Sequence, residues 1–457
     1  MTFTKTTSQP IANSQAVSLD KIHNSTVLVR VSFDIPSLSD IERITDAIPT
    51  IKQLLEQNNK LILCTKWGKI KEKIEVKEMP NHPKSTSELV SILDKELKKI
   101  NLKNEKNKDN SEGNSIAIIC INQFAFDFGE LSKNLETMYF SINPKNIILL
   151  ENTHFDLREK SKDGSQRMEI AEEYAKLADF FVDEAFASSH RTEATNTEIK
   201  TLLHHTFGLS FANEVRNLEK LKNPTKPFVV IMGGAKLETK LPLLERLLPI
   251  ADRILVAGLL AFTFIKAAKL NQIENLQNSS QIDQNIPNTN SKLAQKQNEQ
   301  NTGQKVENLN NLEKLDNSQT LPEIFDSKIE EDFVTTAREL LKKYKEKIIL
   351  PSDFVYDQVS RDGKNLKLAC DIGDETIANF GVEIKKAKTL FWNGPMGFFE
   401  KPPFDAATHQ IAQIITQSQC FSVLGGGDTN AALGAEILAK FSFVSMAGGA
   451  TLDFLSR

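Results

Sequence analysis

From Val27 onward the chain alternates short, β-branched apolar runs with longer segments in which apolar residues recur every three or four positions. The runs VLVRVSF (27–33), LILCT (61–65), IAIICI (116–121) and NIILLEN (146–152) read as strands, with 44–56 and 85–100 as helices between them. A second series begins at FVVIMGG (228–234) and continues through ILVAG (254–258), IILPSDF (348–354), TLFWNGP (389–395) and CFSVLGGGD (420–428). Strand, helix, strand repeated in this way predicts doubly wound parallel sheets, and two such series predict two α/β, Rossmann-like domains.

The pattern also suggests boundaries. FANEVRNLEKLK (211–222) places Val215, Leu218 and Leu221 at helical spacing beside charges, as expected of a helix that either joins the domains or caps one of them. Taken as the joining helix, it separates an N-terminal domain, 1–210, from a C-terminal domain, 223–442, and leaves a terminal segment, 443–457. Within 271–320, Asn, Gln, Lys and Ser displace aromatic and β-branched residues and no periodicity survives, so a disordered surface insertion is expected. A smaller polar insert occupies 101–114.

Composition narrows the classes. At 457 residues and 40% hydrophobic content the chain can bury two ordinary cores. A formal net charge of -4 offers no global attraction to nucleic acid or anionic membrane, so any anion site must be built locally. Cys64, Cys120, Cys370 and Cys420 lack the close spacing of a zinc or redox motif and read as reduced core thiols. The polar stretch 1–20 has no apolar signal core and no later run approaches a membrane span, which predicts a cytosolic protein.

In an open parallel sheet, ligands sit beyond the carboxyl ends of the strands, where loops lead into helix N-termini. GGAKLETK (233–240) puts Gly233 and Gly234 there, followed by Lys236 and Lys240, four residues apart on one helical face. Such glycines admit a phosphate chain close to the backbone, while paired lysines alone usually form a solvated face. LGGGDT (424–429) brings Gly426, Gly427, Asp428 and Thr429 to another helix start, where Asp428 either caps the helix or ligates magnesium. FWNGPMGFFE (391–400) ends a strand at Asn393 and carries Glu400. None of these turns has the Walker spacing, and the first strand lacks the G-x-G-x-x-G of dinucleotide enzymes. In the first half, RVSFDIP (30–36), Arg43, TKWGK (65–69), His154 and His190-Arg191 fall at strand ends, where together they would make a basic pocket of Arg43, Lys69, His154 and Arg191 for a small phosphorylated acid.

The order RVxFxxP, ERI..AIPTI, LLEN, DxAFxxxHR, GGAKxxxK, FWNGPMGxFE, GGGDT resembles the phosphoglycerate kinases across most of the chain outside the two inserts. The resemblance implies a hinge-bending cleft between the domains and reversible transfer between 1,3-bisphosphoglycerate with MgADP and 3-phosphoglycerate with MgATP. It implies a monomer that acts on small molecules, without nucleic-acid or membrane partners. By that similarity the acid would meet Ser32, Phe33, Asp34, Arg43, Lys66, Trp67, Gly68, Lys69, His154, His190 and Arg191. The nucleotide would meet Gly233, Gly234, Lys236, Lys240, Gly258, Leu259, Asn393, Glu400, Gly426, Gly427, Asp428 and Thr429. Arg43, Lys240, Gly426 and Gly449 would act on the transferring group, Arg43 swinging onto it as the domains close, and Asp428 would hold Mg²⁺. Lys240 is expected at a surface cleft, so that its loss would spare folding.

The departures concentrate in the acid pocket. Where the family shows DFN this chain has Ser32-Phe33-Asp34, and SHLGRP is replaced by 65–70, with Lys66 for His and Lys69 for Arg. A family Arg is His154, with Arg158 nearby as a candidate to compensate. On the nucleotide side Ala257-Gly258-Leu259 replaces three glycines, which should crowd a base pocket, and Met446-Ala447-Gly448-Gly449 replaces Thr-Gly-Gly-Gly. The family tail that packs back on the first domain is short here, so weaker domain coupling is expected.

Overall fold

The computed structural model describes residues 17–35, 37–38, 41–70, 74–99, 116–121, 128–141, 143–283, 331–361 and 364–457. The chain divides into two compact units, one ending at Arg216 and the other beginning at Asn217.

The first unit is built on six parallel strands in the order β3-β4-β2-β1-β5-β6: β1 (Thr26–Arg30), β2 (Lys60–Cys64), β3 (Ile118–Ile121), β4 (Ile147–Leu150), β5 (Phe180–Asp183) and β6 (His204–Phe207). Successive side chains of a strand face opposite sides. Val27, Val29, Leu61 and Leu63 accordingly pack with Ile44, Ile51 and Leu54 of the helix Glu42–Glu56, whereas Leu28, Ile62 and Ile148 pack with Ile170 and Tyr174 of the helix Gly164–Ala175. Both faces are covered, which is why the strands read as unbroken apolar runs. Because β1 lies between β2 and β5, the loops after these three strands come together at one end of the sheet.

The second unit repeats the plan with β7 (Phe228–Met232), β8 (Arg253–Val256), β9 (Ile348–Ile349), β12 (Thr389–Asn393), β13 (Phe421–Gly425) and β14 (Phe443–Ser445), in the order β14-β13-β12-β7-β8-β9, all parallel. IILPSDF does not continue as one strand. It breaks after Ile349, and Phe354 begins a separate antiparallel hairpin of β10 (Phe354–Arg361) and β11 (Lys364–Ile372). Asp353 sits in the break and caps the helix Asp374–Lys386, its carboxylate accepting from Glu375 N at 3.1 Å and Thr376 N at 2.8 Å.

Three boundaries differ from the sequence pattern, each through a tertiary partner. The joining helix runs Leu209–Lys222, starting two residues earlier than its apolar spacing suggests. Its first N–H groups are satisfied from outside, by the Glu184 carboxyl, which accepts from Ser210 N at 3.0 Å and Phe211 N at 3.2 Å, and by Thr50 Oγ1, which accepts from Leu209 N at 2.8 Å. The 271–320 stretch begins inside a helix, Gly258–Asp283, because its polar side chains have partners: Arg338 donates to Glu274 at 2.7 Å and to Asn271 at 3.1 Å, and Lys342 reaches Glu274 at 3.0 Å. Residues 284–330, and with them the rest of the expected insertion, lie outside the described residues, as does the insert 101–114. The segment 443–457, expected to return toward the first domain, belongs to the second unit, where β14 extends the sheet beside β13 and Lys222 lies 4.0 Å over the Phe454 ring. Among the described residues no helix is long and apolar enough to cross a membrane. The four cysteines are free, and burial pushes their thiols up from the ordinary range.

Candidate active site

In the first unit, three loops at the carboxyl end of the sheet are tied together by hydrogen bonds. After β1 the loop 31–35 buries Val31, Phe33 and Ile35 and leaves Ser32 and Asp34 half-buried, with Ile35 N donating to Phe33 O at 2.9 Å in a tight turn at Asp34. Asp34 links this loop to the next, accepting at its carboxylate from Gly68 N at 2.8 Å and from the Lys66 ammonium. Its carbonyl accepts from Arg43 Nη1 at 2.6 Å. Burial opposes the charged Asp34, but the adjoining Lys66 ammonium prevails and holds the carboxyl below its usual range. Burial in turn lowers Lys66, against the pull of Asp34. Trp67 is buried, its indole N–H donating to Ile35 O at 2.9 Å and its backbone N–H to Asn152 Oδ1 at 3.0 Å.

The predicted acid-site residues therefore fall into two sets. Ser32, Asp34, Arg43, Gly68, Lys69, His190 and Arg191 are half-buried or exposed at this end of the sheet. Phe33 and Trp67 are core side chains that shape the loops from beneath. His154 is also buried, and its Nε2 is engaged by Glu193 at 3.1 Å. Arg158 does not replace the exchanged arginines, since its guanidinium is held by Asp156, Glu169 and Glu173 at 2.7, 2.8 and 3.4 Å.

Two residues here escaped the sequence reading. Arg30 ends β1 fully enclosed, bonded to Glu193 at 2.6 Å, Ser188 Oγ at 2.8 Å and Thr195 Oγ1 at 3.1 Å, with Glu193 and, at 4.0 Å, the buried Asp183 as its counter-charges. Burial alone would raise Glu193, yet His154 and Arg30 together bring its carboxyl down to about 2. The available signal was the arginine itself: a charge inside a strand covered on both faces requires a buried carboxylate.

In the second unit four glycines bring β7, β12 and the helix starts into close contact. Gly233 N donates to Asn393 O at 2.9 Å and Gly234 N to Pro395 O at 2.8 Å. A Cβ on Gly233 would lie 2.1 Å from Pro395 O, on Gly394 2.2 Å from Gly233 O, and on Gly258 2.5 Å from Gly234 N. Gly234, Gly258, Gly394 and Gly426 all have positive φ. Into this cradle comes Lys240, buried at 5%, with its ammonium donating to Gly233 O. A Cβ on Gly234 or Gly394 would fall 2.6 or 2.5 Å from Lys240 Nζ, so the glycines make the room it occupies.

Lys236 and Lys240 do not share a face. Lys236 precedes the helix Leu237–Leu247 and is exposed, while Lys240 lies on the buried stripe of Leu237, Leu241 and Leu244. The expectation of a surface position for Lys240 is thus corrected, for an apolar-stripe reason readable in the sequence. Burial draws its ammonium down to about 8, with nearby Asp428 working the other way.

Around this ammonium, Asn393 Nδ2 donates to Gly425 O at 2.8 Å and Gly394 N to Thr429 Oγ1 at 2.8 Å, so Asn393 and Thr429 lock the turns together. Gly427 opens the helix Gly427–Ala432 with open space where a Cβ would stand. Exposed Asp428 lies 3.4 Å from Lys236 Nζ. Gly449 is exposed in the first turn of the helix Gly448–Ser456, and the ideal Cβ of Gly448 is 3.8 Å from Gly427 N, which sets two helix starts side by side. Leu259 is half-buried, its N–H bonded to Gly234 O at 3.1 Å, and Glu400 is exposed.

Cationic strand-end loops on one doubly wound sheet, and a glycine cradle with a buried ammonium on another, define a two-domain phosphotransferase. The sequence matches the phosphoglycerate kinase family over residues 17–307 and 318–457. It is 32% identical to a phosphoglycerate kinase of Mycoplasmoides gallisepticum (95% of this chain, 94% of that one) and 29% identical to one of Macrococcus caseolyticus (96% of each). Its structure is similar to that of phosphoglycerate kinase from Coxiella burnetii, with a TM-score of 0.66, 27% identity and coverage of 97% and 96%. The chain belongs to the phosphoglycerate kinase family.

Proposed function

We propose that this phosphotransferase carries out the reversible glycolytic transfer between 1,3-bisphosphoglycerate with MgADP and 3-phosphoglycerate with MgATP. The acid binds the strand-end loops of the first unit and the nucleotide those of the second. The observation that carries the reading is the buried Lys240 ammonium inside the glycine cradle. Phosphoryl transfer needs charge neutralisation and positioning more than covalent help, and a pre-placed ammonium in a water-poor site supplies the first without reorganisation.

In this reading Lys240 and Arg43 neutralise the transferring group, and the backbone N–H groups at Gly426 and Gly449 line its path. Lys236, Gly233 and Gly234 hold the phosphate chain, while Gly258, Leu259 and Glu400 meet the nucleoside. Ser32, Asp34, Lys66, Lys69, His190 and Arg191 face the acid. Among the described residues no group of three or more His, Cys, Asp or Glu could hold a metal on protein ligands alone. A single exposed carboxylate beside the phosphate-binding turn fits Mg²⁺, which keeps phosphate oxygens and water as its other ligands. Asp428 would therefore hold it, and when bound it would draw off charge from the β- and γ-phosphates. The reading places the enzyme in the cytoplasm as a monomer.

A coupled assay with 3-phosphoglycerate and MgATP tests the proposal directly. One observation favours a second reading, a nucleotide-binding relative with a changed acid: Lys66 and His154 are each already bound to a carboxylate. MgADP binding without turnover on 3-phosphoglycerate would select it.

Two further results are expected. Since kcat/KM reports free-enzyme ionisations, it should fall as pH rises through about 8, where Lys240 loses its proton, whereas kcat holds to higher pH because bound phosphates stabilise the ammonium. A kcat/KM flat to pH 9.5 would exclude Lys240 as the neutralising group. Asp428→Asn should raise the KM for MgADP roughly tenfold or more and leave the melting temperature in place, because its ion pair with Lys236 is exposed. Unchanged magnesium dependence in that variant would remove Asp428 from the metal site.

A further inference from the structure

Glu193 stands two residues beyond Arg191, on the loop that follows β5, and is 3% exposed. Its Oε2 accepts from Arg30 Nη2 at 2.6 Å and its Oε1 from His154 Nε2 at 3.1 Å, while Arg191 Nη1 lies 3.9 Å from the same Oε1. Arg30 and His154 are buried, whereas the Arg191 side chain is 42% exposed. One carboxylate thus connects a buried guanidinium and a buried imidazole to a guanidinium that meets solvent.

The loop backbone is held by other groups. Asn196 Nδ2 donates to Ser189 O at 3.1 Å, Arg30 donates to Ser188 and Thr195, and Thr195 is bonded to Glu159. What Glu193 adds is a fixed point for the Arg191 guanidinium. A buried anion next to an acid pocket would repel the substrate if uncompensated, and Arg30 supplies that compensation. A carboxylate only accepts, so His154 must donate through Nε2 and is committed to this task.

We propose that Glu193 is a positioning residue for the acid substrate, holding Arg191 at the edge of the pocket, with Arg30 as its buried counter-cation and His154 as a second buried donor. It sets acid affinity and not the rate of transfer. This rests on the reading that the first unit's loops bind 3-phosphoglycerate.

Steady-state kinetics in both substrates on wild type, Glu193→Gln, Arg191→Ala and the double variant provide the test. Glu193→Gln should raise the KM for 3-phosphoglycerate roughly fivefold, the upper range for one exposed ion pair, with kcat and the KM for MgATP unchanged. In the Arg191→Ala background the same change should have no further effect, because the two residues act as one unit. Additive effects, or equal shifts in both KM values, would overturn the proposal. If Glu193→Gln fails to fold, Glu193→Asp keeps a buried negative charge beside Arg30 while stretching the already long 3.9 Å contact to Arg191; a wild-type KM for the acid in that variant would equally overturn it. Absence of turnover by the wild type would instead sink the functional reading, and the proposal with it.

Discussion

Lys240→Met lowers kcat by roughly 10³-fold or more and raises the melting temperature at neutral pH. The first effect follows from removing the ammonium that the proposed function assigns to neutralising the transferring phosphoryl. The second follows from burial: the folded state holds a charge that it would release at about pH 8 instead of 10.5. That difference costs on the order of 3 kcal/mol of stability at neutral pH. The cost is fully present below pH 8 and fades as pH rises toward 10.5, where the unfolded chain loses the same proton. Methionine has similar length, suits an apolar stripe and carries no such cost. Calorimetry should therefore find the variant several degrees more stable at pH 7 and the gap closing by pH 10. A variant that is inactive and also less stable would mean that the bond from the ammonium to Gly233 O is chiefly structural.

Gly394→Ala is expected to lose more than about 3 kcal/mol of stability and to weaken MgADP binding. Its φ of +93° disfavours any side chain, and the added Cβ would stand 2.2 Å from Gly233 O and 2.5 Å from Lys240 Nζ. No rotamer relieves the first contact, since it is with backbone, so β7 and β12 must part where they carry the site. Gly427→Ala serves as the control. With nothing within 4 Å of the added Cβ, its stability should match wild type. Similar unfolding midpoints for the two variants in denaturant would show that the close approach is not required.

Much of this was legible from local pattern. The apolar runs that became β1, β2, β4, β7 and β12 are covered on both faces, so composition alone marked them. The turns at Gly234, Gly394 and Gly426 were visible because their conformation demands glycine. The start of the joining helix was not visible, because its cap comes from Glu184 and Thr50, far away in the chain. Nor was the helical opening of 271–320, whose polar residues find their partners on the helix Glu331–Tyr344.

By itself the sequence determined two doubly wound domains, the strand-end position of each candidate residue and the glycine turns, because periodicity and backbone demand are local properties. Only the tertiary structure decided how each basic side chain is held. Lys66, His154 and Arg191 look alike in a string, yet Asp34 claims the first, Glu193 encloses the second, and the third remains exposed. The buried Arg30 meets its carboxylate 163 positions away. Whether a charge is buried depends on a counter-charge brought by the fold, and no pattern within one element can report it.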